Sequence, residues 1–330
     1  MTTRQTVDGT LNIEFTVEDV TRTRFALSPL WEVVASVRVL KGADRHGLHR
    51  RWSTQVRPIL ETAKLDLGPL FDLFAVPAYA IPGVLVPAPT TPQPSLEVEL
   101  AVLRATPPER LRTRTAGTTE AMAALQADPE RQLARLTDII TAYWEVALAP
   151  FWPRLRALLE GDIQHRATLF TEGGTQALLD GLEPRLAWES EVLRLPNPYP
   201  RPACRLNGRG LLLVPSGFTW PRVVAALADD EALPTLRYPA RGIGSLWNPP
   251  AAVCSDALAG VLGRTRARLL SELTAPASTT ELAHRLGITP GGASQHLTAM
   301  RAAGLVGAHR TGRVVLYART GLGEDMTRVN

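Results

Sequence analysis

Apolar residues return at three- and four-residue spacing through most of the first 180 positions, the period of helices with one buried face. Ser28 followed by Pro29 supplies an N-cap and a first helical position. Trp31, Val34, Val37 and Leu40 then form the apolar side of a helix ending near 40. The same spacing predicts helices over 46–64, interrupted near Pro58, over 65–74 with Leu67, Leu70, Phe71 and Phe74 inward, and over 95–104. Thr106-Pro107 and Asp128-Pro129 cap two more, and in the second Leu133, Leu136, Ile140, Tyr143 and Ala147 make a continuous stripe. A helix over 151–170 carries Leu155, Leu158, Leu159, Ile163 and Leu169, and a short one over 175–182 follows. Pro77, Pro82, Pro87, Pro89, Pro92 and Pro94 exclude a helix from 76–94, which reads as an extended surface connection.

Period two appears elsewhere. Across 11–20, Leu11, Ile13, Phe15 and Val17 alternate with Asn12, Glu14, Thr16 and Glu18, as in a half-buried strand. Residues 185–194 read as a strand, and Asn207-Gly208 signals a hairpin between 204–206 and 211–214. Pro215-Ser216-Gly217 reads as a turn and 236–239 as another strand. An amphipathic helix over 255–273 follows, with Leu258, Val261, Leu262, Leu269 and Leu273 on one side and Arg264, Arg266 and Arg268 elsewhere. The expected fold class is α+β. A mostly helical N-terminal domain over 1–250, with a small β region at about 185–240, precedes a smaller domain over 251–330.

The stretch 280–320 has a denser pattern. Thr279 or Thr280 caps a short helix with Glu281 in its first turn and Leu282, Ala283 and Leu286 inward. Gly287 suits the left-handed position after a helix end, and Ile288 plugs the turn. Thr289 caps a second helix with Pro290 at its first position, and Ala293, Leu297 and Met300 form its core stripe. Gly291, Ser294, Gln295, Thr298 and Arg301 fall on other faces, a small, polar and acid-free set. Gly304 ends that helix. A hairpin is expected over 306–319, with a Thr311-Gly312 turn flanked by Arg310 and Arg313. Cap, turn glycine, second cap, proline, core stripe and basic-tipped hairpin in this order form a winged helix-turn-helix. Its second helix suits the DNA major groove, and its hairpin tip suits phosphates.

Charge agrees with this division. Residues 258–330 hold nine arginines and four acids, an excess of five, whereas the remainder holds 27 basic and 28 acidic residues. With 34 arginines against two lysines, arginine count alone reflects GC-rich coding. Hydrophobic residues make up 45% of the 330, enough for full cores, and no apolar run approaches membrane-spanning length. The opening MTTRQTVDGT lacks the apolar segment of a signal peptide, so a cytoplasmic location is expected. Cys204 and Cys254 have no neighbours at metal-ligand spacing and read as small buried apolar residues.

The segment TPGGASQHLTAMRAAGLV, with the hairpin after it, resembles the winged-helix domain of ArsR-type bacterial transcriptional regulators. The longer N-terminal region resembles an uncharacterised domain fused to such winged helices in actinobacterial regulators. The resemblance implies a regulator that binds double-stranded DNA at a pseudo-palindromic operator as a homodimer. The residues it places against DNA are Thr289, Pro290, Gly291, Ser294, Gln295, Thr298, Arg301, Arg310 and Arg313. Family members that sense metals carry cysteines on the helix preceding the recognition helix. Here that helix reads Glu281-Leu282-Ala283-His284-Arg285-Leu286, and His284, His296 and His309 lack further ligands, so no metal is expected.

Catalytic signatures are likewise missing, and neither an enzyme nor a bound cofactor is expected. Ser216 lies in PSGF rather than a nucleophile elbow, residues 171–175 are not followed by GK[ST], and Gly242-Ile243-Gly244 lacks a third glycine. All seven tryptophans and all seven phenylalanines lie within 1–257, where some could line a pocket for a small organic effector and most would build core. The expectation is a homodimeric repressor released by such an effector. Its rival is an N-terminal enzyme or protein-interaction module whose winged helix is structural or binds protein.

Overall fold

The computed structural model describes residues 9–44, 46–74, 81, 83–111, 119–197, 203–227, 233–247, 256–273, 276–311 and 314–328. The chain forms two compact units, 1–45 with 53–241, and 46–52 with 242–330. It is an α+β protein with a C-terminal helix-turn-helix. No described helix is long and apolar enough to cross a membrane.

The first unit opens with β1 (Gly9–Glu14), α1 (Val17–Arg22), β2 (Arg24–Phe25) and α2 (Pro29–Arg38). The helix α3 (Arg50–Ala63), whose opening residues count with the second unit, then leads to α4 (Gly68–Leu73). Five helices follow: α5 (Leu96–Arg104), α6 (Pro108–Leu111), α7 (Glu120–Ala127), α8 (Pro129–Ala147) and α9 (Trp152–Leu179). The strands β3 (Ala187–Glu189), β4 (Val192–Asn197), β5 (Cys204–Arg205), β6 (Leu212–Ser216), β7 (Val224–Ala226) and β8 (Thr235–Pro239) complete it. They form two four-stranded sheets, ordered β3-β4-β1-β5 and β2-β6-β8-β7. Between them lies a core of Leu11, Ile13, Leu193, Leu195, Leu213, Leu236 and Tyr238, closed by Leu178 and Leu179 at the end of α9.

Helix starts follow the caps. Ser28, Ser95 and Asp128 accept bonds from Trp31 N, Val98 N and Arg131 N, and the five-residue stripe of α8 is buried throughout. Pro58 sits inside α3 without interrupting it, and that helix begins at Arg50 rather than 46. The helices expected over 151–170 and 175–182 are one element broken at Gly174.

Four readings of strands, turns and the proline-rich connection are corrected. The alternation 11–20 is not one strand: Thr16 and Asp19 form a reciprocal capping box that starts α1, leaving Val17 81% exposed. Residues 185–194 are a hairpin, turned by Ser190 and Glu191 at φ 49° and 59° without the glycine or asparagine that advertises such turns. Asn207 and Gly208 have the expected positive φ, but the turn passes the chain between sheets, since β5 pairs with β1 whereas β6 pairs with β2 and β8. The proline-rich stretch is not all surface. Its residues 76–80 and 82 lie outside the described ones, yet Leu85 and Val86 are buried, and Leu27 N donates to Pro92 O at 2.9 Å.

The helix α2 is buried on every side, Glu32 and Ser36 included, rather than along one stripe. Glu32 accepts from Gly217 N at 3.1–3.2 Å. Buried Glu99 accepts from Ser28 Oγ at 2.6 Å and from Leu30 N at 2.7 Å, in the first turn of α2. Buried Arg237 donates to Val86 O at 2.8 Å and lies 4.6 Å over the Trp31 ring. Ser36 Oγ and Tyr143 OH share a bond of 2.9 Å.

The second unit holds α10 (Asp256–Leu262), α11 (Arg264–Glu272), β9 (Ala277–Ser278), α12 (Thr279–Leu286), α13 (Pro290–Ala302), β10 (Val306–Thr311), β11 (Val314–Arg319) and α14 (Gly321–Arg328). The helix expected over 255–273 is therefore two. Gly263, at φ 80° and ψ 146°, takes a conformation open to glycine and breaks it. Cys204 is half-buried rather than buried, and Cys254 lies outside the described residues.

Burial sets a pH dependence. Desolvation pushes the Glu32 carboxyl up to about 8 and that of Glu99 up to about 7, from 4.5. Between the unfolded and folded values the native state holds protons the unfolded chain has lost, so stability falls as pH rises from about 4.5 to 8. The midpoint of thermal unfolding is expected to drop between pH 5 and pH 8, and Glu32→Gln to flatten the upper part of that slope. A midpoint that rises with pH in both proteins would contradict this account.

Candidate nucleic-acid interface

In the second unit the backbone itself shapes the turn between α12 and α13. Ser278, not Thr279 or Thr280, is the cap of α12: its backbone is extended (φ −80°, ψ 160°) and its Oγ accepts from Glu281 N at 3.2 Å. The pattern Ser278-x-x-Glu281 was the available signal. The Glu281 carboxylate pairs instead with Arg285 one turn on. At the far end Gly287 stands at φ 67° and ψ 33°, with its N–H on His284 O and Ile288 N on Ala283 O. These two bonds are a Schellman ending, and they require the left-handed residue between them. Thr289 Oγ1 then accepts from Gly292 N at 3.2 Å and Pro290 opens α13.

Ala293, Leu297 and Met300 are buried, and Leu297 and Met300 pack with Leu269, Leu270, Leu273, Leu282 and Leu286. The opposite surface keeps Thr289, Pro290, Gly291, Ser294, Gln295, Thr298 and Arg301 exposed. The side chains of Ser294, Gln295, Thr298 and Arg301 bond to no other group among the described residues. A Cβ at Gly291 would meet nothing within 4 Å, so internal packing does not demand glycine there. The first turn of α13 holds no acid, and the amide end of a helix dipole favours an anion.

The hairpin pairs Val306 with Arg319 through Thr311 with Val314, and β9 extends it to an order of β10-β11-β9. Thr311 thus belongs to the strand rather than to the expected turn, and Gly312 lies outside the described residues. Arg310 is exposed on β10, whereas Arg313 lies outside the described residues. Arg319, read from sequence as an ordinary strand residue, is an anchor. Its Nε and Nη2 donate to Leu270 O (2.7 Å) and Ser271 O (2.6 Å) at the end of α11, and Nη1 to Thr327 Oγ1 (3.0 Å) in α14. A guanidinium there satisfies helix-end carbonyls and meets the negative end of the dipole. This contact has no local sequence signal, whereas α14 does: Thr320 Oγ1 accepts from Gly323 N at 3.2 Å, as a helix cap would.

Residues 262–306 match the family model of a helix-turn-helix domain. The match runs from the end of α10 to the first residue of the hairpin, so it covers both helices and the turn just described. The helix-turn-helix points to a DNA-binding regulator of transcription. Residues 90–244 match the model of a family of unknown function (DUF5937), which brings no chemistry. No curated protein and no solved structure matches the chain.

Other sequence candidates take structural places. Ser216 ends β6, fully buried, its Oγ accepting from Phe218 N and Thr219 N. Residues 171–175 lie within α9, and Gly242 precedes a short 3-10 turn over Ile243–Ser245. His284 is exposed, His296 is half-buried, and the described residues hold no group of three or more His, Cys, Asp or Glu placed to share a metal ion.

Removing the Arg319 anchor should loosen the hairpin. Arg319→Ala is expected to destabilise the protein by roughly 1–3 kcal/mol, the cost of leaving part-buried carbonyls without a charged donor. Urea unfolding measures it, and a change within experimental error would show the anchor to be dispensable.

Proposed function

We propose that the protein is an ArsR-type transcriptional repressor that binds operator DNA as a homodimer and is released by a small organic effector. The reading rests chiefly on one observation: an acid-free face of α13, held by the Schellman turn and presenting Ser294, Gln295, Thr298 and Arg301 uncommitted. Such a face lies in the major groove. Gln295 bonds an adenine edge bidentately, Ser294 reaches a neighbouring base, and Thr289, Pro290, Gly291, Thr298 and Arg301 approach the backbone. Arg310 and Arg313 meet phosphates across the minor groove. One helix reads only a few base pairs, so two copies read half-sites about 34 Å apart. Exposed Val261 on α10 and Leu322 on α14 are apolar surface for that pairing. The functional division, 1–250 for effector and dimer contacts and 251–330 for DNA, follows the same reading. The break at Gly263 removes the single rigid helix over 255–273 as the carrier of effector linkage.

Fluorescence anisotropy with selected operator DNA tests the docking. Gln295→Ala is expected to lose about 1–3 kcal/mol and to relax preference at one base pair. Arg310→Ala is expected to weaken all sequences alike and to flatten the salt dependence by about one ion. If Arg310→Ala changes the preferred sequence and Gln295→Ala does nothing, this docking is wrong. Sedimentation showing one chain per operator would overturn the dimer.

A further inference from the structure

The first unit carries a half-open groove of about 430 Å³, in the size range of small-molecule sites. Leu27, Pro29, Leu96 and Leu100 give it apolar lining. That lining is backed by the buried bonds of Glu99 to Ser28 and Leu30, which hold the start of α2 against α5. Trp144 of α8 and Trp152 of α9 supply aromatic wall. Their rings meet edge to face, with centroids 5.1 Å apart and planes at 62°, and both are only half-buried. Indole faces are the best aromatic partners for a cation.

Charge then selects the occupant. Three ionised side chains line the groove: Glu97, Glu145 and Arg156. Arg156 is committed, bonded to Glu160 and Gln93 at 2.8 Å each. Glu97 and Glu145 are exposed and make no hydrogen bond or ion pair among the described residues. The groove therefore offers apolar floor, aromatic wall and two uncommitted negative charges, while its one positive charge is already answered. An anion would face two carboxylates against a single guanidinium that is already paired with Glu160, and a neutral apolar molecule would leave the carboxylates unused.

We infer that this groove binds a small organic cation with an apolar or aromatic body, its charge shared between the tryptophan rings and the carboxylates of Glu97 and Glu145. The inference gives a chemical class to the effector of the preceding section and rests on that reading only for its consequence at DNA.

Calorimetric titration of the full-length protein, without DNA, separates the alternatives. The probes are benzyltrimethylammonium, neutral N,N-dimethylbenzamide and anionic phenylmethanesulfonate. The cation is expected to bind at least about tenfold more tightly than either other probe. The paired substitution Glu97→Gln with Glu145→Gln should bring the cation down to the level of the amide and leave the amide unchanged. Trp144→Leu should weaken the cation further than it weakens the amide. Equal binding of all three probes, no saturable binding of the cation, or wild-type cation affinity in the double glutamine variant would each overturn the site. If the cation binds as expected but leaves operator affinity unchanged, the site stands and the effector-released repressor reading fails.

Discussion

A carboxyl group cannot remain in a protein interior without hydrogen-bond partners, and the first unit places two around the start of α2. Their donors come from segments far apart in the chain. Glu99 of α5 takes the Ser28 hydroxyl and the Leu30 amide, while Glu32 of α2 takes the Gly217 amide beyond β6. Arg237 of β8, beside Glu99, spends its own donor on Val86 in the proline-rich connection. Helix α2, helix α5, the connection and the second sheet are thereby joined by polar bonds as well as by packing. Losing one partner would leave a buried polar group unsatisfied.

The second unit is organised by backbone termination rather than by buried carboxyl groups. One left-handed glycine closes α12, one threonine starts α13, and the angle between the two helices follows from a turn with little freedom. The core behind them then fixes which face of α13 remains outside. Arg319 extends the same economy to the hairpin, since a single guanidinium bonds two carbonyls at the end of α11 and reaches α14. An arginine-rich chain thus uses its guanidiniums in opposite ways. Some are internal anchors, as Arg319 and Arg237 are, and others, such as Arg301, are left to solvent.

Most of this architecture was legible from local signals. The caps at Ser28, Ser95, Asp128 and Thr289 are satisfied within three residues of themselves, so a short window of sequence contains both partners. The stripes of α8 and α13 are legible for a related reason: helical period alone decides which side chains share a face. The same holds for the exposed set on α13, read as the complement of its core stripe. Errors arose where two local patterns competed. Alternation through 11–20 overrode the capping box at Thr16, and the apolar pattern through 255–273 overrode the glycine at 263.

What the amino-acid order determined by itself was each element that is stabilised within its own few residues, together with the face it turns inward. The tertiary structure alone decided the rest. It sent the strands either side of Asn207-Gly208 to different sheets, buried Glu32 and Glu99, paired Arg156 while leaving Glu97 and Glu145 without a partner among the described residues, and made Arg319 an anchor. Each of these depends on which distant group arrives beside a side chain. A charged residue reads alike in sequence whether it will meet solvent, a carbonyl or an opposite charge, because its energy is set by surroundings that only the folded chain assembles.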